Sequence, residues 1–291
     1  MPSYRVRHTT IFHYSGPASI SLNQAFLSPR NTPAQICVDS KLLIEPQPVV
    51  SSIREDFFGN AAIFFTVQGP HEQLKVTVTS LVDTSRALTP HPLSTPAWDA
   101  TPEMLERDGG AAGIDARQFL FDSDYATAFP ELVDYGRPSF APGRPILDAV
   151  LDLTHRIHTE FAFDPTATTV STPLREVLER RRGVCQDFAH LQIACLRGLG
   201  IATRYVSGYL LTNAPPGGAR LIGADASHAW LAFFCPGFGW LDVDPTNDLM
   251  PSEKHITLAW GRDYGDVSPI RGVVIGGGSQ ALTVAVDVAP A

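Results

Sequence analysis

The chain has 291 residues and a formal net charge of −8, with 44% hydrophobic and 18% charged residues. An acidic chain whose largest basic cluster is Arg180–Arg182 is not expected to have nucleic acid or an anionic membrane as its main partner. The apolar content is sufficient for one large domain or for two smaller ones, each with its own core.

Strand and turn signals dominate residues 1–88, which we predict to form a β-sandwich. The segments Arg5–Tyr14 and Leu74–Val82 are rich in residues that favour strands, and Phe57–Asn60 has the composition of a turn. None of these residues forms a pattern typical of a catalytic site. This part of the chain is therefore predicted to be structural.

Residues 89–143 are predicted to be a linker with short helices, because Pro90–Pro102 is rich in Pro, Thr and Ser. Residues 144–291 carry stronger patterns, and we predict that they form a second, catalytic core. A first helix is expected from Ile146, since one helical face would collect Leu147, Val150, Leu151, Ile157 and Phe161. A second helix is expected after Pro173, with Thr172 as its N-cap.

The chain becomes rich in strands after residue 200. Strands are predicted over Ala202–Leu211, Ser227–Phe234 and Trp240–Asp244, with a loop at Pro215–Gly218. The last segment, Arg271–Val288, contains three consecutive glycines and is predicted to form a final hairpin.

Cys185 stands where a predicted turn at Gly183 becomes an apolar helix that ends at Gly200. A thiol at a helix N-terminus faces unpaired backbone N–H groups and the positive end of the helix dipole, which favour the thiolate. Since the thiolate is the nucleophilic form, Cys185 is a candidate nucleophile. The alternative is a small core residue, which is what we expect for Cys195 and Cys235.

A cysteine nucleophile needs an imidazole partner, and that imidazole needs an orienting group. His228 begins one predicted strand and Asp244 ends the next, so an antiparallel pair would bring the two side chains together. Asp242 lies on the same strand face as Asp244 and is the alternative partner. His190 follows Cys185 by five residues, lies off its helical face, and is expected to be a structural hydrogen-bonding residue rather than a base.

Cysteine usage and the N-terminus bear on location and on cofactors. The chain has four scattered cysteines without C-x-x-C spacing, which favours neither a disulfide framework nor a zinc site. We therefore expect no metal and no cofactor. Met1–Arg7 lacks the apolar segment of a signal peptide, and no stretch reaches the roughly 18 apolar residues that a membrane span needs. A cytoplasmic protein without a membrane partner is expected, in which a thiol stays reduced.

The order Cys, His, Asp and the residues around them resemble the transglutaminase-like superfamily of papain-type thiol enzymes, in its bacterial two-domain branch. The resemblance is carried by Gly183–His190, Ser227–Trp230 and Asp244–Asn247, with support from Arg204–Tyr209 and Gly261–Val267. It implies an α+β fold in which an N-terminal β-sandwich precedes a papain-like core, with the cysteine helix packed on an antiparallel sheet.

By this resemblance Cys185 is the nucleophile, His228 the general acid and base, and Asp244 the residue that orients His228. Asp244 is preferred to Asp242 because it directly precedes Pro245. The implied chemistry is acyl transfer at a peptide or protein amide through a thioester on Cys185. The Cys185 backbone N–H is a natural donor to the oxyanion.

Three functions remain open for this chain, two catalytic and one non-catalytic. Animal cross-linking enzymes of the superfamily use an upstream tryptophan at the oxyanion, and this chain has none between Trp98 and Cys185. Hydrolysis of the kind carried out by a cysteine peptidase or isopeptidase is therefore preferred to protein-glutamine transamidation. A non-catalytic binding module that keeps the fold is the third reading, and the presence of all three site residues speaks against it.

Overall fold

The computed structural model describes residues 1–211 and 227–291. The predicted loop at Pro215–Gly218 lies outside these residues. No helix in the two described ranges combines the length and the hydropathy needed to cross a bilayer.

The N-terminal part is built on two long strands that pair antiparallel with each other. Its strands are β1 (Ser3–Ala25), β2 (Gln35–Glu45), β3 (Val50–Glu55) and β4 (Ala61–Thr84). They belong to a six-stranded sheet in which β1 pairs with β4, and β2 and β3 pair with the two halves of β4. The pairing of β1 with β4 is irregular between His13 and Ala18.

One apolar cluster joins the two halves of β4, since Ile63 and Phe65 are buried with Leu74 and Val76. Both halves of β4, together with β1, β2 and β3, belong to the same six-stranded sheet. The residues predicted to form a sandwich therefore form one continuous sheet rather than two.

Short helices connect this sheet to the core. They are α1 (Thr101–Arg107), α2 (Ala111–Arg117) and α3 (Pro130–Gly136), with 3-10 turns at Pro92–Ser94, Trp98–Ala100, Gln118–Leu120 and Arg137–Ser139. The predicted first core helix is confirmed as α4 (Ile146–Glu160), which ends before Phe161 and buries its apolar face. Next come β5 (Ala162–Phe163), α5 (Leu174–Arg180) and β6 (Arg182–Gly183), with β5 and β6 parallel. Thr172 does not cap α5, because its hydroxyl accepts a hydrogen bond from the Thr169 N–H at 2.9 Å.

In the core the cysteine helix packs on an antiparallel sheet, as predicted, and the sheet has a fourth strand, over His255–Gly261, that was not predicted. The helix is α6 (Cys185–Gly198), and the strands are β7 (Thr203–Leu210), β8 (Ser227–Cys235), β9 (Gly239–Val243) and β10 (His255–Gly261), in the order β10-β7-β8-β9. Apolar residues of α6, such as Leu191, share one buried cluster with Leu231 and Phe233 of β8. The α+β fold is thus confirmed.

The predicted C-terminal hairpin is not formed. After α7 (Tyr264–Val267), the strands β11 (Ile270–Gly276) and β12 (Gln280–Pro290) both run antiparallel to β1, and in the described residues they are not paired with each other. β11 lies beside Ala18–Ala25 and β12 beside Tyr4–Tyr14. The glycines that suggested a reversal adopt φ angles of 86°, 80° and 66° and only carry the chain past the irregular segment of β1. A local glycine signal cannot distinguish these two paths, because the difference lies in the distant edge of β1.

Candidate active site

The start of α6 is held by a buried carboxylate. The Asp187 Oδ2 atom accepts hydrogen bonds from the Val184 N–H at 2.8 Å and from the Thr168 hydroxyl at 2.6 Å. Burial raises the pKa of Asp187, and these two hydrogen bonds act in the opposite direction. They fix the segment that leads into Cys185, the first residue of the helix. The Cys185 backbone N–H has no partner within the helix, because no helical carbonyl precedes it by four residues.

Gly183 is needed here for a different reason from the one predicted. Its φ is not positive, and the left-handed residue between α5 and α6 is Arg181, with a φ of 53°. A Cβ atom on residue 183 would lie 2.7 Å from the Asp187 Oδ2 atom. Glycine therefore permits the close approach of the Asp187 carboxylate to the chain.

His228 and Asp244 lie together at one end of the core sheet. The paired residues of β8 and β9 end with Leu231 opposite Val243. His228 and Asp244 therefore lie just beyond the last pair, at the same end of the two strands. The His228 Nε2 atom is 2.7 Å from the Asp244 Oδ2 atom. Cys185 lines the same cavity as His228, and its side chain contributes to the raised pKa of the His228 ring. The structure thus brings the three predicted residues into one arrangement.

Several donors converge on the Asp244 carboxylate, which is fully buried. Asn247 donates from its side chain to Oδ2 at 2.7 Å, and the Thr246 N–H donates to Oδ1 at 3.0 Å. Burial alone would raise the pKa of Asp244, but hydrogen bonds from His228, His255 and Asn247 hold it well below its usual range. Asp244 is therefore ionised at neutral pH.

The charge of His228 follows from its neighbours. Burial lowers its pKa, but hydrogen bonds with Asp244 and Cys185 and the charges of both groups outweigh burial and raise the pKa to about 10. At neutral pH the ring is consequently an imidazolium. A thiol beside an imidazolium that is oriented by a carboxylate is an arrangement suited to acyl transfer.

His255 is a member of the site that sequence reasoning missed. Its Nε2 atom is 3.2 Å from the Asp244 Oδ2 atom, and its Nδ1 atom is 3.4 Å from the Ser252 N–H. Because a backbone N–H can only donate, Nδ1 is the acceptor and Nε2 carries the proton that is donated to Asp244. The sequence shows only an isolated histidine, and the pairing of β10 with β7 is what brings it to Asp244.

Within residues 1–211 and 227–291, His228, Asp244 and His255 form a group that could hold a metal ion. Ligand atoms of His228, Asp244 and His255 lie within 4.8 Å of one another. Each of these atoms already has a hydrogen-bond partner within the group, so the geometry is explained by hydrogen bonding. The absence of a metal stays a prediction.

The alternative site residues have other partners. Asp242 accepts a hydrogen bond from the Trp230 indole at 3.2 Å rather than from His228. His190 lies between the rings of Tyr125 and Tyr205, and its Nε2 atom accepts a hydrogen bond from the Tyr264 N–H at 3.1 Å. Burial lowers the pKa of His190 to about 3, so this ring is neutral.

The remaining cysteines and Trp98 lie elsewhere in the fold. Cys195 and Cys235 are fully buried, as expected, and burial raises the pKa of both thiols, that of Cys235 to about 12. The Trp98 indole donates to the Ala141 carbonyl at 2.9 Å and packs against Phe140. It does not line the cavity beside Cys185.

Comparison with known proteins gives matches in both parts of the chain. Residues 4–83 match the bacterial transglutaminase-like N-terminal region, and residues 136–245 match the transglutaminase-like superfamily. An uncharacterized protein of Mycobacterium tuberculosis is 42% identical over 292 aligned positions, which cover 99% of this chain and 92% of that protein. A protein-glutamine gamma-glutamyltransferase of Pseudomonas aeruginosa is 30% identical over 121 residues, covering 41% of this chain and 18% of that protein.

One solved structure resembles the whole chain. The crystal structure of a proposed cysteine protease from Cytophaga hutchinsonii superposes with a TM-score of 0.76 at 21% identity. The match covers 99% of this chain and 90% of that one. At this identity the likeness concerns the fold.

Proposed function

The chain belongs to the transglutaminase-like superfamily, and on that premise we propose that it catalyses thiol-dependent acyl transfer at peptide-like amides. One observation carries the proposal: Cys185 and His228 line the same cavity, and His228 is hydrogen-bonded to the buried carboxylate of Asp244. In this proposal Cys185 is the nucleophile, His228 the general acid and base, and Asp244 the group that orients His228 and stabilises its charged form.

The reaction proceeds in two halves. The Cys185 sulfur forms a bond to the carbonyl carbon, and the Cys185 backbone N–H donates to the oxyanion that develops. The carbon–nitrogen bond then breaks as His228 gives its proton to the leaving amine, and a thioester remains. In hydrolysis, water attacks the thioester carbon and gives a proton to His228, and the carbon–sulfur bond then breaks, which releases the acid and frees the Cys185 sulfur.

Hydrolysis is the first form of this proposal, because the chain has no tryptophan between Trp98 and Cys185 and Trp98 is engaged with Ala141. Transamidation is the second form, in which a primary amine resolves the thioester. The similarity to a protein-glutamine gamma-glutamyltransferase of Pseudomonas aeruginosa favours it. A cytoplasmic location is part of the proposal, since a reducing compartment keeps a thiol usable. The proposed reaction also uses no metal and no cofactor.

Selective alkylation tests the nucleophile. At about pH 6–7, iodoacetamide is expected to label Cys185 at least about tenfold faster than Cys37, because only an activated thiol carries much thiolate there. Cys37 is the matched control, since it is also partly exposed, whereas Cys195 and Cys235 are buried. Peptide mapping by mass spectrometry gives the rates, and equal rates at Cys185 and Cys37 would contradict the proposal.

Product analysis separates the two forms. A hydrolase should release ammonia or a new amine from a peptide library without an added acceptor. A transamidase should turn over appreciably only when a primary amine is supplied. The Cys185→Ala variant should be inactive in both assays and keep the circular dichroism spectrum of the wild type.

A further inference from the structure

The cavity beside Cys185 is closed on one side by the N-terminal sheet. It has a volume of about 310 Å³, and its walls include Cys185 and His228 of the core. The opposite wall contains Phe12 and Thr10 of β1 together with Leu282 and Val284 of β12. The register of the two strands pairs Phe12 with Leu282 and Thr10 with Val284, which makes these residues one continuous patch.

Apart from the Thr10 hydroxyl, this patch is apolar, and it carries no charge. None of the described residues that line the cavity is Asp, Glu, Lys or Arg. His8 is the one titratable residue on the N-terminal wall, and burial lowers its pKa to about 4, so it is neutral at pH 7. Its two ring nitrogens are already engaged, Nε2 with the Thr10 hydroxyl at 2.7 Å and Nδ1 with the Tyr209 hydroxyl at 2.8 Å.

The size and the position of the cavity limit what it can hold. Its volume is at the lower end of ligand pockets, which run from about 300 to 1,000 Å³, so it suits one side chain or a short acyl chain. In the proposed reaction the acyl half of the substrate stays bonded to the Cys185 sulfur through the thioester, whereas the amine half leaves. The acyl half must therefore fit the cavity that Cys185 lines.

We propose that this cavity is a subsite for an uncharged, apolar side chain in the acyl half of an amide substrate, with Leu282, Val284 and Phe12 as its specificity-determining wall. The inference rests on the proposed function and adds a substrate class to it. It also gives the N-terminal sheet a role in substrate selection. The charge of His228 is already paired with Asp244, so a charged side chain against this wall would lose its hydration without finding a partner of its own, and it should be rejected.

Peptidyl chloromethyl ketones that differ only in the residue next to the reactive carbon test the subsite. The Cys185 sulfur displaces chloride and forms a thioether, so the adduct reports the rate of acyl-side recognition without a known substrate. Probes with Leu or Phe at this residue are expected to label Cys185 at least about tenfold faster than probes with Glu or Lys. Equal rates for all four probes would overturn the subsite.

A charge placed in the wall should reverse this preference. In the Leu282→Lys variant we expect the Leu probe to slow by about tenfold and the Glu probe to become the faster one. Leu282 is 58% exposed, so the fold does not depend on it. Val273→Lys is the control, since Val273 is 64% exposed on β11 and does not line the cavity. Unchanged discrimination by Leu282→Lys would also overturn the subsite.

Iodoacetamide, which has no side chain to recognise, separates this inference from the proposed function. It is expected to label Cys185 rapidly in the wild type and equally in the Val273→Lys control, whose changed residue does not line the cavity. If it labels Cys185 rapidly while the four ketones do not differ, the nucleophile stands and the subsite falls. If neither iodoacetamide nor any ketone labels Cys185 preferentially, the proposed function fails and the subsite fails with it.

Discussion

Asp244 accepts hydrogen bonds from the side chains of His228, His255 and Asn247 and from the backbone N–H of Thr246. A buried carboxylate is costly unless such donors surround it, and here they keep it ionised. The ionised carboxylate in turn stabilises the imidazolium form of His228. The charge of one buried residue thus determines the charge of the next, and in the proposed reaction it supplies the proton that the leaving amine takes up.

The titration of His228 is the most direct consequence. Its pKa in the folded protein is about 10, against about 6.5 for an unperturbed histidine. Because the folded pKa is raised, the stability that protonated His228 contributes is fully present below about pH 6.5 and is lost as the pH rises through about 10. Amidase activity should fall over the same upper range, as the general acid loses its proton. Ring proton resonances followed by NMR measure this pKa, and a titration near 6.5 would contradict it.

His255 should act as a positioning residue for Asp244. Replacing it with Phe leaves the carboxylate one donor short in a buried site, and we expect unfolding to become easier by about 1–3 kcal/mol. Asp244 should then hold the imidazolium less well, so the pKa of His228 should fall. His255→Gln retains an N–H donor and should recover part of both effects. A loss of stability without a change in the His228 titration would indicate a purely structural role.

At the scale of elements, the N-terminus of α6 depends on the close approach of Asp187 to Gly183. In Gly183→Ala the new methyl group would lie 2.7 Å from the carboxylate oxygen, so the carboxylate must move and release the Val184 N–H. We expect a destabilisation of about 1–3 kcal/mol together with slower alkylation of Cys185. Gly16→Ala is the matched control, because nothing lies within 4 Å of a Cβ there and its φ is not positive. Equal effects of the two substitutions in urea unfolding would contradict this account.

Elements specified by local pattern were predictable, and those set by distant pairing were not. The helix from Cys185 and the strand pair that carries His228 and Asp244 follow from apolar periodicity and the short turn between the strands. The role of His255 depends on β10 lying beside β7, and no local signal specifies that pairing. The C-terminal strands were misread for the same reason, since their partner β1 is more than 240 residues away in sequence.

At the scale of the whole molecule, the N-terminal sheet and the transglutaminase-like core share one apolar cluster. Tyr4, Val6 and Val286 of the sheet are buried in the same cluster as Leu231 and Phe233 of the core. The hydrogen bond between His8 and Tyr209 crosses the same boundary. Since residues of the sheet line the cavity beside Cys185, the proposed subsite is complete only when both parts are docked.

A shared cluster implies a single cooperative unfolding transition, which two spectroscopic probes can test. The four tryptophans, Trp98, Trp230, Trp240 and Trp260, all lie outside the six-stranded sheet, so their fluorescence follows the core, whereas far-UV circular dichroism follows both parts. Val6→Ala removes a 2%-exposed side chain of β1 and should lower the free energy of unfolding by about 1–3 kcal/mol.

If the two parts unfold together, Val6→Ala lowers the fluorescence midpoint as much as the dichroism midpoint, by a few degrees for a chain of this size. Val273→Ala, at a position that is 64% exposed on β11, is the control and should shift neither midpoint appreciably. A fluorescence midpoint that stays at the wild-type value while the dichroism midpoint falls would mean that the core unfolds independently. The cavity wall could then separate from Cys185 without loss of the core, whereas a common shift ties substrate access at Cys185 to the stability of the N-terminal sheet.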